Sequence, residues 1–254
     1  LGKGVVLCRD TPNFIGNRIG IGEMLLTFAA TKAGSYTIEE VDTLNATLVG
    51  RPKTGSYRLG DMVGLDVVGH VVTNMRAALS GDPSAANYDP LFDLMVVSDV
   101  MQTMFERKWF GDKTGQGFYK KTKGPKGETI ILSLDLDTLD YRPRREPAFP
   151  ELKNVIKKPL AARIHEALRL EGRAGEFLRQ VYLPLFNYAA ALTGSICEIP
   201  KQIDDAMCWG YGWEIGPFAM MDAAGVEWAA ATMKAAGIEP APAIVALLAA
   251  QGKD

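Results

Sequence analysis

Gly55-Ser56-Tyr57-Arg58-Leu59-Gly60-Asp61-Met62-Val63-Gly64 returns late in the chain as Gly216-Pro217-Phe218-Ala219-Met220-Met221-Asp222-Ala223-Ala224-Gly225. Both stretches read G-x-aromatic-x-x-x-D-x-x-G, 161 positions apart. Working outward, Ile38 and Asp42 are echoed by Ile199 and Asp204, and Arg18 by Arg179, at an offset of 161 or 162. The echoes fall in the same helix–turn–helix pattern, so duplication of a small helical unit explains them better than chance identity.

Periodicity around the first copy predicts helices over 14–33, 37–49, 56–61, 66–79 and 91–107. Asn17, Ile21, Leu25 and Phe28 share one face of the first. Asp10-Thr11-Pro12-Asn13 reads as its entry and cap, and Thr37 with Glu40 as a capping box for the second. From residue 110 the character changes. A Gly-rich run over 111–117 leads into a predicted hairpin, with its turn at Lys123-Gly124-Pro125-Lys126-Gly127. The proline- and charge-rich stretch 141–150 reads as linker, and helical pattern resumes near 152 and dominates to 251. Lys3-Gly4-Val5-Val6-Leu7-Cys8 reads as a lone strand whose neighbours would lie in a sheet upstream of residue 1.

The chain has 254 residues, 28 Lys+Arg against 30 Asp+Glu, and 47% hydrophobic content. That supports packed cores and argues against nucleic acid, which needs a concentrated basic face. No apolar run approaches membrane-span length, and no Lys/Arg-led signal segment opens the chain. Cys8, Cys197 and Cys208 lack metal or disulfide spacing and read as reduced, buried thiols of a cytoplasmic protein. No metal-ligand pattern exists. The two histidines read as structural: His70 as a partly buried residue of an apolar helix, His165 as part of a solvated helix face. Gly16-Asn17-Arg18-Ile19-Gly20-Ile21-Gly22 is G-x-x-x-G-x-G, not the dinucleotide fingerprint, and its glycines read as allowing close helix packing. On residue chemistry alone Asn17 is either a buried amide needing partners or a residual cap, and Lys113 is a solvated loop charge.

Asp10-Thr11-Pro12-Asn13-Phe14-Ile15-Gly16-Asn17-Arg18 resembles the D-T-P-G-F-I-x-N-R segment of L-3-hydroxyacyl-CoA dehydrogenases. Lys113-Thr114-Gly115-Gln116-Gly117-Phe118-Tyr119 resembles that family's K-T-G-x-G-F-Y segment, and Gly216-Pro217-Phe218 with Asp222 its M-G-P-F-x-x-x-D segment. Asn13 stands where the family has Gly, and Ser56-Tyr57 where it has Pro-Phe. The resemblance implies a mainly α fold: two tandem 6-phosphogluconate-dehydrogenase-C-terminal-like helical domains with a small β-hairpin between them. The expected boundaries are 1–11 for the remnant of an upstream NAD domain, 12–120 for the first copy, 121–158 for hairpin and linker, and 159–254 for a degenerate second copy.

The family's dinucleotide loop and catalytic His–Glu pair belong to an upstream Rossmann domain, which this chain lacks. By resemblance Asn17 hydrogen-bonds the catalytic centre and Lys113 reaches bound NAD. The implied substrate is a 3-hydroxyacyl-CoA of fatty-acid β-oxidation, and an enoyl-CoA hydratase domain is a further expected partner in the same parent chain. The fragment is expected to be inactive alone. Alternatives are a non-catalytic helical interaction or dimerisation module, and a dehydrogenase of another small 3-hydroxy acid or 3-hydroxyacyl-CoA. The second copy has Leu178 where the first has Asn17, and no K-T-G-x-G-F-Y segment after Asp222, so it is expected to do no chemistry. Its helical face Leu178, Val181, Leu185 and Tyr188, with Tyr182 and Phe186, is expected to pack on the first copy as an intramolecular pseudo-dimer.

Overall fold

The computed structural model describes residues 2–251 and is mainly helical. The first copy comprises α1 (Gly16–Ala33), α2 (Ile38–Leu44), α3 (Gly55–Val63), α4 (Leu65–Ala78) and α5 (Asp99–Glu106). An antiparallel sheet follows, in the order β1 (Tyr119–Lys123), β2 (Thr129–Leu134), β3 (Tyr141–Pro143). Then come α6 (Leu152–Val155), α7 (Leu160–Ala167), α8 (Arg173–Leu192), α9 (Pro200–Tyr211), α10 (Pro217–Ala224), α11 (Val226–Ala235) and α12 (Pro242–Gln251). The long helices α1 and α8 lie against each other, and α9 also packs on α1. The expected face of α8 is the one buried: Leu178, Val181, Tyr182, Leu185, Phe186 and Tyr188 are each at most 1% exposed.

The duplication is visible atom by atom. Asp42 accepts from the backbone N–H groups of Tyr57 (2.7 Å) and Arg58 (3.1 Å) at the start of α3. Asp204 accepts from those of Phe218 and Ala219, both at 2.9 Å, at the start of α10. A carboxylate on one helix thus satisfies the orphan donors of the next. Gly55 and Gly216 are required because a Cβ at either would run into Asp42 or Asp204. Gly64 and Gly225 break the helices at nearly the same backbone angles, φ 100° with ψ 120° and φ 90° with ψ 112°. The capping box is present in full at Thr37–Glu40. In the second copy the Gln202 carboxamide oxygen still accepts from the Ile199 N–H at 3.0 Å, but no hydroxyl returns the bond. Ile199 therefore stands at the place of Thr37, one position from the alignment read in sequence.

The K-T-G-x-G-F-Y segment closes the first copy. Asp61 accepts from the N–H groups of Phe118 and Tyr119, both at 2.8 Å. Gly111 and Gly117 lie against Asp61 so closely that neither position has room for a Cβ. Phe118 then sets its ring edge-on to Tyr57 at 4.6 Å.

Four expectations are corrected. The stretch 91–107 is not one helix: buried Asp89 takes the Leu91 N–H at 2.8 Å and stops the chain in a short 3-10 turn, Phe92–Leu94. Ser98 then starts α5 afresh, its Oγ accepting from Met101 at 3.3 Å. The cluster before α1 supplies no side-chain cap; the entry is instead a turn with Asn13 at φ 64° and Phe14 at φ 49°. Asn is the side chain that best tolerates that region after Gly, which accounts for its standing in Gly's place. The stretch 141–150 is not wholly linker, because Tyr141–Pro143 forms the third strand, at an edge where proline is tolerated. Residues 3–8 form no strand among the described residues; the chain there lies along the second copy, with Arg9 N–H donating to the Ile196 carbonyl at 2.9 Å.

Arg142 of β3 ties the sheet to α2 through a two-pronged bond to buried Glu39, at 2.7 and 2.9 Å, and the Arg145 N–H adds a third at 2.9 Å. Burial works to raise the Glu39 carboxyl, but these donors outweigh it and hold it at about 2 against an ordinary 4.5. A carboxyl held low in the fold contributes stability above its unfolded value, and loses it as pH falls from about 4.5 to about 2. Glu39→Gln is expected to lower stability by about 3 kcal/mol at neutral pH, as for breaking a buried ion pair. The deficit should shrink across that acid window in denaturant titrations. A variant whose deficit stays constant from pH 7 to pH 2 would show that the pair is not the source.

Candidate functional site

Asn17 lies on the first turn of α1, exposed rather than buried. Its amide carbonyl accepts from the Tyr211 hydroxyl at 2.8 Å. It stands beside a cleft of about 150 Å³ walled by Ile21 and Met24 of α1, Val63 and Val67 of the α3–α4 corner, and Tyr211 and Trp213 of the second copy. The glycines of this helix face neighbouring rings closely. A Cβ at Gly20 would enter the Tyr211 ring, and one at Gly22 would crowd Tyr188. Met62, Val63 and Val67 at the corner are exposed apolar side chains, as is Phe14 before α1.

At the inner end of the cleft is a polar network drawn from both copies. The Asn45 amide donates to Glu23 and, at 2.6 Å, to Ser56, while its carbonyl accepts from Tyr182. Thr27 donates to Glu23 at 3.1 Å. Burial raises the Glu23 carboxyl, with Arg51, Asn45 and Thr27 opposing. Arg51 is itself buried, its guanidinium 3.4 Å from the centre of the Trp213 ring. A second buried set joins Arg18 to Asp89 at 2.5 Å, and the Tyr188 hydroxyl donates to the same carboxylate at 2.9 Å. In the second copy, among the described residues, Arg179 has no such carboxylate; it donates to the carbonyls of Leu168 and Leu170.

Lys113 lies in a short 3-10 turn at the surface, its ammonium paired with Asp66 near the start of α4. Asp66 falls between Val63 and Val67 of the cleft wall, so Lys113 and Asn17 flank the same corner. The hydrogen bond from the Lys113 ammonium holds the Asp66 carboxyl below its ordinary range.

The remaining sequence candidates sort plainly. His70 is exposed, not partly buried, because it faces away from the apolar side of α4. His165 is exposed, with Nδ1 3.3 Å from the Ala223 carbonyl. Of the three thiols only Cys197 is buried; Cys8 is exposed and Cys208 intermediate. Among the described residues no cluster of His, Cys, Asp or Glu could hold a metal ion, and no helix is long and apolar enough to cross a membrane. Sequence reasoning missed Tyr211, Glu23, Asn45 and Arg51, and read Tyr182 as a packing residue without its bond to Asn45. Gly16 and Gly20, one helical turn apart, were the available signal for an aromatic seat on α1.

The family profile of the 3-hydroxyacyl-CoA dehydrogenase C-terminal domain matches residues 14–121 and 175–249, covering both copies and most of the chain. The chain belongs to this family. A relative described as a probable 3-hydroxyacyl-CoA dehydrogenase, from Bacillus subtilis strain 168, is 39% identical over 240 residues, 94% of this chain and 29% of the relative. A putative fatty acid oxidation complex trifunctional enzyme from Rickettsia felis is 30% identical over 224 residues, 87% of this chain and 28% of that protein. The chain thus spans less than a third of these relatives' length. The crystal structure of a 3-hydroxybutyryl-CoA dehydrogenase from Escherichia coli K12 superposes with a TM-score of 0.62 at 18% identity, covering all of this chain and 63% of that one. That likeness is one of fold.

The Lys113–Asp66 pair is solvated on both sides, and such pairs contribute little to stability. Lys113→Ala should therefore shift the unfolding free energy by less than about 1 kcal/mol in urea titration. A larger loss would mark the lysine as structural and remove it from the candidate binding residues.

Proposed function

We propose that this chain is the helical, substrate-side part of an NAD-dependent L-3-hydroxyacyl-CoA dehydrogenase acting in fatty-acid β-oxidation. The observation that carries the reading is the placement of Asn17 in a chain of this family. Its amide stands exposed at the mouth of a cleft, with the carbonyl held by Tyr211 and the N–H₂ left to donate. Bound NAD would accept the hydride released from C3 of the substrate. Asn17 would donate to the oxygen at that carbon as it gains carbonyl character, a role suited to an amide because it does not itself titrate.

The dinucleotide and the proton-accepting base are assigned to an upstream Rossmann domain. From this chain the residue suited to touch NAD is Lys113. Its side chain is 46% exposed and its ammonium has a single carboxylate partner, so it has donors free for a phosphate or ribose oxygen. The mainly apolar cleft wall at Ile21, Met24, Val63 and Val67 suits the alkyl portion of an acyl thioester. Residues 12–120 and 159–254 are read as the two domain copies, with 121–158 between them. An enoyl-CoA hydratase domain in the parent protein is part of this reading; the trifunctional description of the Rickettsia relative supports a multidomain parent. The packing of α8 and α9 on α1 supports an intramolecular pseudo-dimer, in which the second copy takes the place of a partner subunit.

In the full-length parent, Asn17→Ala is expected to cut turnover by about 10–1000-fold, the range for losing one oriented donor. Stability should change by less than about 2 kcal/mol, since Asn17 is exposed. Wild-type kinetics in that variant would favour a helical interaction module without catalytic function. The isolated chain is expected to be chiefly monomeric in scattering-based mass measurement; a stable dimer would contradict the pseudo-dimer.

A further inference from the structure

We propose that Tyr211, carried by the second copy, is a positioning residue for Asn17, and that the site of the first copy is incomplete without it. The inference rests on the reading of Asn17 given above. Tyr211 is the last residue of α9, and its hydroxyl donates to the Asn17 carbonyl at 2.8 Å.

The contact is built rather than incidental. The Tyr211 ring lies over α1 at two glycines one turn apart. A Cβ at Gly16 would stand 3.4 Å from it, and one at Gly20 would collide with it. Any larger residue at position 20 would push the phenol from its seat. The ring also meets Trp213 edge-on, with centroids 6.4 Å apart, and Trp213 is in turn covered by the Arg51 guanidinium. Arg51 is held by the carbonyl of Ile215 at 3.2 Å. Two side chains, Trp213 of the second copy and Arg51 of the first, therefore back the phenol.

The consequence follows from the chemistry of an amide. An asparagine on the first turn of a helix has two nearly equivalent orientations, differing by exchange of its oxygen and nitrogen. A carboxamide oxygen accepts only, and in the orientation the structure shows it takes the Tyr211 O–H, which leaves the N–H₂ facing away. Burial pushes the Tyr211 phenol up to about 12, so it keeps its proton across the physiological range. The second copy, which has Leu178 where the first has Asn17, thus serves the chemistry of the first by orienting the group it lacks.

The test is Tyr211→Phe, which keeps the ring in its seat and removes only the hydroxyl. In the full-length enzyme kcat is expected to fall about 10-fold, with KM for the 3-hydroxyacyl-CoA and for NAD within about twofold of the parent. In nitrogen-15 spectra of the 254-residue chain, the two Asn17 side-chain proton signals should lose their wild-type separation. Unchanged Asn17 signals would overturn the proposal, as would changed signals with an unchanged kcat. A loss confined to KM would also overturn it, because that would mark Tyr211 as a substrate contact. If Asn17→Ala is fully active, the catalytic reading of Asn17 falls and takes this proposal with it. That outcome is separable from the others because the spectral response to Tyr211→Phe would remain.

Discussion

The structure depends on a helix that is buried while carrying charges. Of the 18 residues of α1, Arg18, Glu23, Thr27 and Thr31 are all buried with polar side chains. Taking such groups out of water is costly unless each finds a partner. Arg18 finds Asp89 from the first copy, reinforced by Tyr188 from the second. Glu23 finds Asn45, which Tyr182 of the second copy bonds in turn. Neither set is complete within one copy. An apolar seam alone would let α1 and α8 slide or rotate against each other; these bonds specify one register between them. The cleft beside Asn17 inherits that register, because its walls come from both sides of the seam.

The two copies share a device and differ in what was built on it. In both, an aspartate on one helix bonds the first amides of the next, over a glycine that leaves no room for a side chain. In the first copy the following aspartate, Asp61, also captures two amides of a segment arriving from more than fifty residues away. That clasp brings Gly111, Lys113 and Phe118 back to the α3–α4 corner. The second copy has the matching Asp222 but no such segment in its sequence. The lysine beside the cleft is thus a by-product of how the first copy closes.

Much of this was legible in sequence because it depends on local chemistry. The glycine–aromatic–aspartate spacing revealed the duplication, Thr37 and Glu40 the capping box, and the Lys123–Gly127 turn signal the hairpin. The apolar face of α8 was readable from periodicity alone. What was not legible depends on distant partners. Asp89 looks like a turn residue and becomes a buried counter-ion that ends a helix early. Tyr141–Pro143 looks like linker and becomes a strand because Arg142 reaches Glu39, 103 residues away. Asn17 could be singled out, yet the hydroxyl that holds it lies 194 positions along the chain, where no local pattern points to it.

Those separations bear on how the chain is made. The hydroxyl of Tyr188 reaches Asp89 and the backbone of Arg18, the latter 170 residues earlier. At about 5–20 residues per second, α1 is synthesised roughly 10–30 seconds before α8 is available to cover it. During that interval its apolar stripe and the Glu23–Asn45 pair, not yet covered by Tyr182, face water or whatever binds them first. Local helices and the Asp42 cap can form at once, but the central seam must wait until α8 has been made. Contacts of such range slow folding and lengthen the exposure of sticky surface. A seam closed between two tandem copies carries this delay, making the nascent chain rather than the finished fold the state most vulnerable to aggregation.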